Sequence, residues 1–311
     1  MYPASPSAAP TIDYVIPCGR PDSAAAAAAL RAVEACCGGT SSRIVVVGAG
    51  LAGLRSQCAG DRFVWLETDR LLWPAENRNL GARACTADII AFVDDDCVIE
   101  PGFAGLAARR FAEDSGLGGL TGRARSVPDG YWNRVYDLLL FGPVAGDAAA
   151  VDTVHFACVM CIRRAALETV GGFDASLRTG EDCDLAERLI LGGWRTLYAP
   201  ELRVAHHHGR GRWPVLWRYL YRGGQDFLAL ERKQARTGMQ AHGRRRLKLA
   251  LRPLHPLLAP LFAGRAVLGI LRRNRHRRWY VLGHLPGLVA ALGAFEAGRA
   301  VAWWRPRPGR P

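Results

Sequence analysis

The sequence predicts an α/β fold: a mostly parallel central sheet with helices on both faces, followed by a helical C-terminal extension. Three observations predict it. Short apolar runs alternate with helix-forming runs from residue 11 to residue 208, the order that βαβ units leave in a chain. One such run, Asp88–Val93 (DIIAFV), is apolar throughout after its first residue, which marks a strand covered on both faces. After His208 the alternation stops, and long apolar segments edged by Arg clusters follow. The 311 residues, half of them apolar, suffice for one large α/β domain with an appendage.

The elements follow in order. Residues 1–10, rich in Pro, Ser and Ala, read as a disordered N-terminus. Ile12–Pro17 ends in Pro-Cys-Gly-Arg-Pro, a strand running into a turn. Asp22–Cys37 contains six consecutive alanines and closes at Gly38-Gly39, a helix with a glycine stop. Arg43–Val47 and Arg62–Glu67 are further strands, Ala75–Cys85 a helix, and Asp88–Val93 the buried strand. Pro101–Glu113 is a helix with Pro near its start. A strand near Val154–Ile162, a helix from Arg164, a helix over Asp182–Leu191 and a strand over Arg195–Tyr198 complete a domain spanning 11–208. Residues 209–311 form the extension. There Trp213–Arg236 reads as helical, while Arg244–Arg272 and Trp279–Trp304 are apolar with Pro253, Pro256, Pro260 and Pro286 inside.

The net charge of +13 is unevenly placed. Residues 209–311 carry 22 Arg and Lys against three acids, Asp226, Glu231 and Glu296; residues 1–208 carry 19 Arg against 25 acids. A mildly acidic body with a basic tail points to an anionic surface as the tail's partner. Nine cysteines are scattered, mostly in apolar runs, as free thiols of a reducing compartment are. Cys158 and Cys161 form a C-x-x-C, but no second pair at metal spacing accompanies it, so no zinc or redox role is expected of that motif. Residues 1–11 lack the basic start and apolar core of a signal peptide, and the domain is expected in the cytoplasm.

Asp94, Asp95 and Asp96 directly follow the buried strand, at the sheet edge where ligands of open α/β folds bind. Three adjacent carboxylates repel one another and burial raises the cost; a divalent cation relieves both. Oxygen ligands suit Mg²⁺ or Mn²⁺, which keep waters and take phosphate oxygens as further ligands. A solvated acidic turn is the plain alternative. Further on, Thr179-Gly180-Glu181-Asp182-Cys183-Asp184-Leu185 sends acids into a helix N-terminus, where the dipole favours them. Asp182 or Asp184 would serve there as a cap, or Asp182 as a general base accepting the proton of an attacking hydroxyl. Composition leaves both readings open.

Taken together, these residues resemble the family 2 glycosyltransferases of GT-A fold, over about Ile12 to His208. Ile12-Asp13-Tyr14-Val15-Ile16-Pro17 with Arg20 resembles the family's first strand and turn. Glu76-Asn77-Arg78-Asn79-Leu80-Gly81-Ala82, followed by Ile89 to Asp96, resembles its Arg-Asn-x-Gly helix and acidic motif. Arg163–Leu167 with Val170-Gly171-Gly172-Phe173-Asp174 resembles the acceptor-side segment. Glu181-Asp182-x-Asp184-Leu185, with Arg188, Gly193-Trp194 and Pro200 ending at His206, resembles the remainder. The resemblance implies that Asp94 and Asp96 hold a metal and the donor diphosphate, with Asp95 near the sugar or ribose. Pro17, Arg20, Arg78 and Asn79 would contact the donor, Asp182 would be the base, and Glu181 would support the acceptor pocket. His206 would complete the metal or diphosphate contacts; of the run His206–His208, at least two are expected to be exposed. The implied reaction is inverting and uses a single displacement. Gly48-Ala49-Gly50 stands where relatives carry an acidic base-binding motif, so the nucleotide base is left open. The Gln-x-x-Arg-Trp motif of processive synthases is absent, so transfer of one or a few sugars is expected.

A second motif points elsewhere. Gly48-Ala49-Gly50-Leu51-Ala52-Gly53 follows a strand and Glu67 lies 19 residues beyond Gly48, the fingerprint of an FAD- or NAD-dependent oxidoreductase. The segment left for its helix, Leu51–Gly60, is about one turn short, and this reading leaves the acidic motifs unexplained. It is kept as the alternative, beside an inactive homologue that binds sugar nucleotide or lipid without turnover.

In the tail, residues 279–295 are uncharged but only 17 long, short of the ~20 apolar residues of a membrane span. An interfacial helix fits better, with Arg at the headgroups and Trp279, Trp303 and Trp304 at the boundary. A helical cap on the sheet is the plain alternative. No nucleic-acid fold motif accompanies Arg244-Arg245-Arg246 or Arg272-Arg273, so nucleic acid is not an expected partner. The expected partners are a nucleotide-sugar donor, a glycan or lipid-linked acceptor, and the inner face of the cell membrane.

Overall fold

The structure, a computed structural model, describes residues 9–38, 40–141, 150–151, 156, 158–237 and 254–304. Strand β1 (Ile12–Cys18) is buried along its whole length. Parallel to it run β2 (Ile44–Gly48) on one side and β4 (Ile89–Val93) on the other, with β3 (Phe63–Glu67) outside β2. This is the half of the sheet that the βαβ alternation foretells. Beyond β4 the sheet is mixed. The remaining strands are β5 (Cys97–Ile99), β6 (Leu117–Ser126), β7 (Ala150–Val151), β8 (Val159–Arg163) and β9 (Arg195–His206). Their order across the sheet is β3-β2-β1-β4-β8-β6-β9-β5, with β7 pairing on β9. β8 runs antiparallel to both β4 and β6, while β6 and β9 are parallel.

Helices cover both faces, and the core divides accordingly. On one face α1 (Ala24–Cys37), α2 (Ala52–Gln57) and α4 (Phe103–Glu113) pack Leu30, Val33, Leu54, Phe103 and Phe111 against Tyr14, Ile16 and Val46. On the other, α3 (Pro74–Arg83), α6 (Arg164–Thr169) and α7 (Glu181–Leu191) pack Ala75, Leu167, Leu185 and Leu189 against Val15, Val47, Ile90 and Phe92. Alternate residues of each strand serve opposite layers, which is why β1, β2 and β4 are apolar at every position except Asp13. Ser23 caps α1 through its Oγ (3.1 Å from Ala26 N). Residues 131–141 form α5 (Tyr131–Tyr136) and one π-turn.

The extension consists of α8 (Trp213–Thr237), α9 (His255–Arg273), α10 (Arg278–Gly283) and α11 (Leu285–Trp304). The Arg244–Arg246 cluster and residue Val154, where a strand was expected to start, lie outside the described residues. α8 and α11 cross with their backbones in contact: Gly224 meets the Phe295 carbonyl and Gly298 meets the Tyr221 carbonyl, and neither position has room for a Cβ. Beside the crossing, Arg299 is buried and pairs with Glu231 and with Glu296 (3.0 Å). The apolar stretch 279–295 is therefore not one helix; it breaks between α10 and α11. α11 is long and apolar enough to cross a membrane (mean hydropathy 1.3), yet half of that window is buried within the protein.

Candidate active site

Val15 pairs with Phe92 in parallel register, so the ends of β1 and β4 lie level and the Pro17–Arg20 turn meets Asp94–Asp96. Asp95 Oδ2 accepts the amides of Gly19 and Arg20, both at 2.9 Å. Asp95 thus holds the turn through Oδ2, and it also lines the cleft in which the resemblance implied a place beside sugar or ribose. Burial raises its pKa, against the pull of Arg20. Arg20 Nη2 reaches Asp96 Oδ2 at 2.5 Å. Burial also acts on Asp96, but His206 and Arg20 outweigh it and hold that carboxyl well below the usual range.

Arg78, on α3, is buried and bridges two elements: Nη2 donates to Asp94 Oδ1 at 2.7 Å and Nη1 to Glu181 Oε1 at 2.5 Å. Burial works against its charge, and Asp94 and Glu181 more than restore it. Arg78 is a strut between the acidic cluster and α7. Asn79 takes no part in the cleft. Its amide accepts from Phe173 N (2.9 Å) and donates to Phe173 O (2.8 Å), so it fastens the Gly171–Phe173 loop to α3. Gly172 permits this with φ +76, since a Cβ there would lie 2.8 Å from Asn79 Oδ1.

α7 starts at Glu181 behind Gly180, which has φ +77 and no room for a side chain against Leu230 and Phe227 of α8. Asp182 faces the cleft with Oδ1 on Cys183 N (2.8 Å), and Asp184 pairs with Arg188 (2.8 Å) and Lys233 (2.7 Å). The structural role thus falls to Asp184. Burial raises the pKa of both Asp182 and Glu181, with Arg78 opposing in each case.

The histidine run departs from expectation. His206 ends a strand, so His206 and His208 share one face, and both are buried; His207 alone is partly exposed. His206 Nε2 lies 3.1 Å from Asp96 Oδ1. His208 accepts the Arg210 amide on Nδ1 (2.8 Å), which leaves Nε2 to donate to Ser126 Oγ (2.8 Å). Burial, with His206 and Arg210 nearby, lowers the His208 pKa to about 3, so it stays neutral. Arg210, which the sequence did not single out, stacks on Tyr219 (4.2 Å) and Tyr136 (5.4 Å) and donates to the Tyr136 hydroxyl at 3.1 Å.

These groups line one cleft of about 2060 Å³. One end carries Pro17, Arg20, Asp94–Asp96, Asp182 and His206. The other runs along the extension, past Arg218, Arg222, Arg265, Arg272, Phe262 and Leu268. Asp96 Oδ1 and His206 Nε2 pair at 3.1 Å; once His206 gives up its proton, the same spacing suits adjacent ligands of an octahedral hard cation at 2.0–2.1 Å, which lie ~3 Å apart. The glycine motif does not fit a dinucleotide. Its amides at Gly50 and Leu51 already donate to Glu67 Oε1 (2.6 and 3.1 Å), and α2 has only six residues. The acid that would hold a ribose closes the loop that would hold pyrophosphate.

An α/β sheet of this order, with an acidic strand end facing a Glu-Asp helix across a cleft, has the GT-A architecture of glycosyltransferases. Residues 74–223, just under half of the chain, match the family described as glycosyltransferase like family 2. Over 143 residues it is 34% identical to a pre-mycofactocin glycosyltransferase of Mycobacterium tuberculosis, covering 43% of this chain and 30% of that protein. Over 59 residues it is 43% identical to an N-acetylglucosaminyl-diphospho-decaprenol L-rhamnosyltransferase of the same organism, covering 18% and 19%. The chain thus matches less than a third of the length of these relatives. In structure it resembles PcManGT, a mannosyltransferase of Pyrobaculum calidifontis solved with GDP-Man and Mn²⁺: TM-score 0.66 and 17% identity over 97% of this chain and 89% of that one.

Proposed function

We propose that this chain moves a sugar from a nucleotide diphosphate sugar to an acceptor hydroxyl, with inversion. The observation that carries the reading is the shared cleft: Asp182 and Asp94–Asp96 line it together, and Arg78 ties their elements to each other. Asp182, with its pKa raised by burial, is suited to accept the proton of the acceptor hydroxyl. The hydroxyl oxygen attacks the anomeric carbon as the bond to the diphosphate oxygen breaks, and that bond's electron pair leaves with the diphosphate. Asp94, Asp96 and His206 would hold Mg²⁺ or Mn²⁺, which neutralises charge on the leaving diphosphate. Arg210, braced by Tyr136 and Tyr219, and Arg20 supply cationic contacts on the same side. Glu181 keeps Arg78 in place and so fixes the start of α7.

For the acceptor, the composition of the cleft favours an amphipathic anion such as a lipid-linked phosphate or glycan. Exposed Arg218, Arg222, Arg265 and Arg272 stand beside Phe262, Leu220 and Leu268 along the extension. Leu261, Leu268, Trp279, Val289 and Trp304 expose apolar surface on α9, α10 and α11, which supports attachment to the inner face of a membrane. A panel of sugar nucleotides, read by thermal shift with and without Mn²⁺, tests the donor side, because a ligand of the native state raises Tm. The reading requires at least one sugar nucleotide to stabilise the protein in a Mn²⁺-dependent way; a panel without any such shift contradicts it.

A further inference from the structure

The C-x-x-C motif does not act as a pair. Cys161 lies in mid-β8 opposite Ala91 and Leu120. Cys158 sits just before that strand, where its carbonyl accepts the Asp94 amide (3.2 Å). Its side chain meets groups from two other strands. One ligand atom from each of Cys97, Cys158 and His206 lies within 4.8 Å of the other two. The three are buried, and Cys158 and His206 reach the cleft wall. Each is fixed by backbone: Cys97 is the register partner of His206 across β5 and β9, and Cys158 is held by Asp94. Sugar transfer gives neither thiol a task.

His206 supplies the second observation. Its Nε2 is engaged by Asp96, whereas its Nδ1, in a side chain 5% exposed, has no hydrogen-bond partner. A buried polar atom left without a partner destabilises the fold, and a metal ion is a partner that two thiols and an imidazole suit.

We propose that Cys97, Cys158 and His206 Nδ1 form a site for a thiophilic divalent cation, with Zn²⁺ as the representative ion. Tetrahedral zinc with Zn–S near 2.3 Å and Zn–N near 2.0–2.1 Å places its ligand atoms about 3.5–3.8 Å apart, which the cluster accommodates within small side-chain shifts. Two thiolates and a neutral imidazole cancel the charge of the ion, so the loaded site adds no net charge to the core. Asp96, accepting from the other imidazole nitrogen, is the outer carboxylate that orients a metal-bound histidine. The site adjoins the oxygen-ligand site through Asp96 and His206, so an ion held by sulfur opposes a hard cation there.

Cobalt titration of the full-length protein in excess Mg²⁺ tests this without reference to activity. Co²⁺ bound by thiolate shows sulfur-to-metal charge-transfer absorption in the near ultraviolet, and oxygen ligands do not. The wild type and Cys161→Ser should show the band, and Cys97→Ser/Cys158→Ser should lose it. Zn²⁺ affinity of the double variant should fall by more than the ~10–100-fold that loss of an outer-shell partner costs. Where the double variant does not fold, Cys158→Ser alone must lose at least half of the band. A wild type without the band, or a band undiminished in the serine variants, overturns the proposal.

Discussion

Asp94 and Glu181 hold the same guanidinium: Arg78 donates to the first at 2.7 Å and to the second at 2.5 Å, and all three side chains lie at the inner wall of the cleft. A strand end and a helix start that are distant in sequence are thereby fixed at a set separation, and both flanks of the reaction are positioned by one buried cation.

Removing that cation leaves two carboxylates facing each other. Arg78→Met should destabilise the fold by about 3–5 kcal/mol, the cost of breaking a buried ion pair from one side. Denaturant unfolding measures it. A loss below about 1 kcal/mol would mean that the pairing is dispensable.

The proposed base, Asp182, has a definite pH signature. Burial raises the Asp182 pKa, and only its carboxylate accepts a proton, so the rate is full above that pKa and falls as pH drops through it. The acid limb of the kcat profile should therefore lie above the ~3.9 of an ordinary aspartate. A rate that stays constant down to about pH 4 contradicts the assignment.

Arg210 should matter for the donor and little for the fold. Charge-assisted hydrogen bonds contribute about 1.5–3 kcal/mol, so Arg210→Ala should weaken donor binding by roughly ten- to a hundred-fold. Arg210→Lys keeps the charge but loses planar stacking on Tyr219 and should recover only part. Calorimetry with the nucleoside diphosphate reads both; unchanged affinity in Arg210→Ala removes the contact.

The extension is part of the folded body at the Gly224–Gly298 crossing. Gly298→Val places a side chain against the Tyr221 backbone and should cost at least the ~1–3 kcal/mol of overpacking. A thermal melt indistinguishable from wild type would show that α11 does not pack on α8.

Attachment to a membrane is checked by co-sedimentation with anionic vesicles at physiological salt. The exposed Trp279 and Trp304 and the arginines of α9 and α10 predict binding that weakens as salt rises. Absence of binding at physiological salt removes the membrane from the account.

Much of the parallel half of the sheet was legible because its strands are apolar at nearly every position, Asp13 and Glu67 excepted, and the acidic cluster because it ends one of them. The mixed half was harder to see. β6 reads LGGLTGRARS, and Gly and Arg suggest a loop; yet Gly119 and Gly122 leave no room for a Cβ against Phe156 and Leu202, so the strand is close-packed. β9 was expected to stop at Tyr198 and runs on to His206, past Pro200, which obscured the period of two that buries His206 and His208. Asn79 illustrates a different limit. The resemblance implied a donor contact for Asn79, whereas its amide pairs with the Phe173 backbone, a partner 94 residues away that no local pattern marks. Arg210 gave no local signal, because its aromatic partners come from α5 and α8.

The central claim is that Asp182 takes the proton in a cleft that binds donor without its help. Asp182→Asn is nearly isosteric and removes only the basicity. With a donor identified by thermal shift, its affinity for Asp182→Asn should stay within about two-fold of wild type, while transfer falls by the ~10²–10⁴-fold that general-base catalysis contributes. Transfer at the wild-type rate in this variant, with donor bound, would contradict the account.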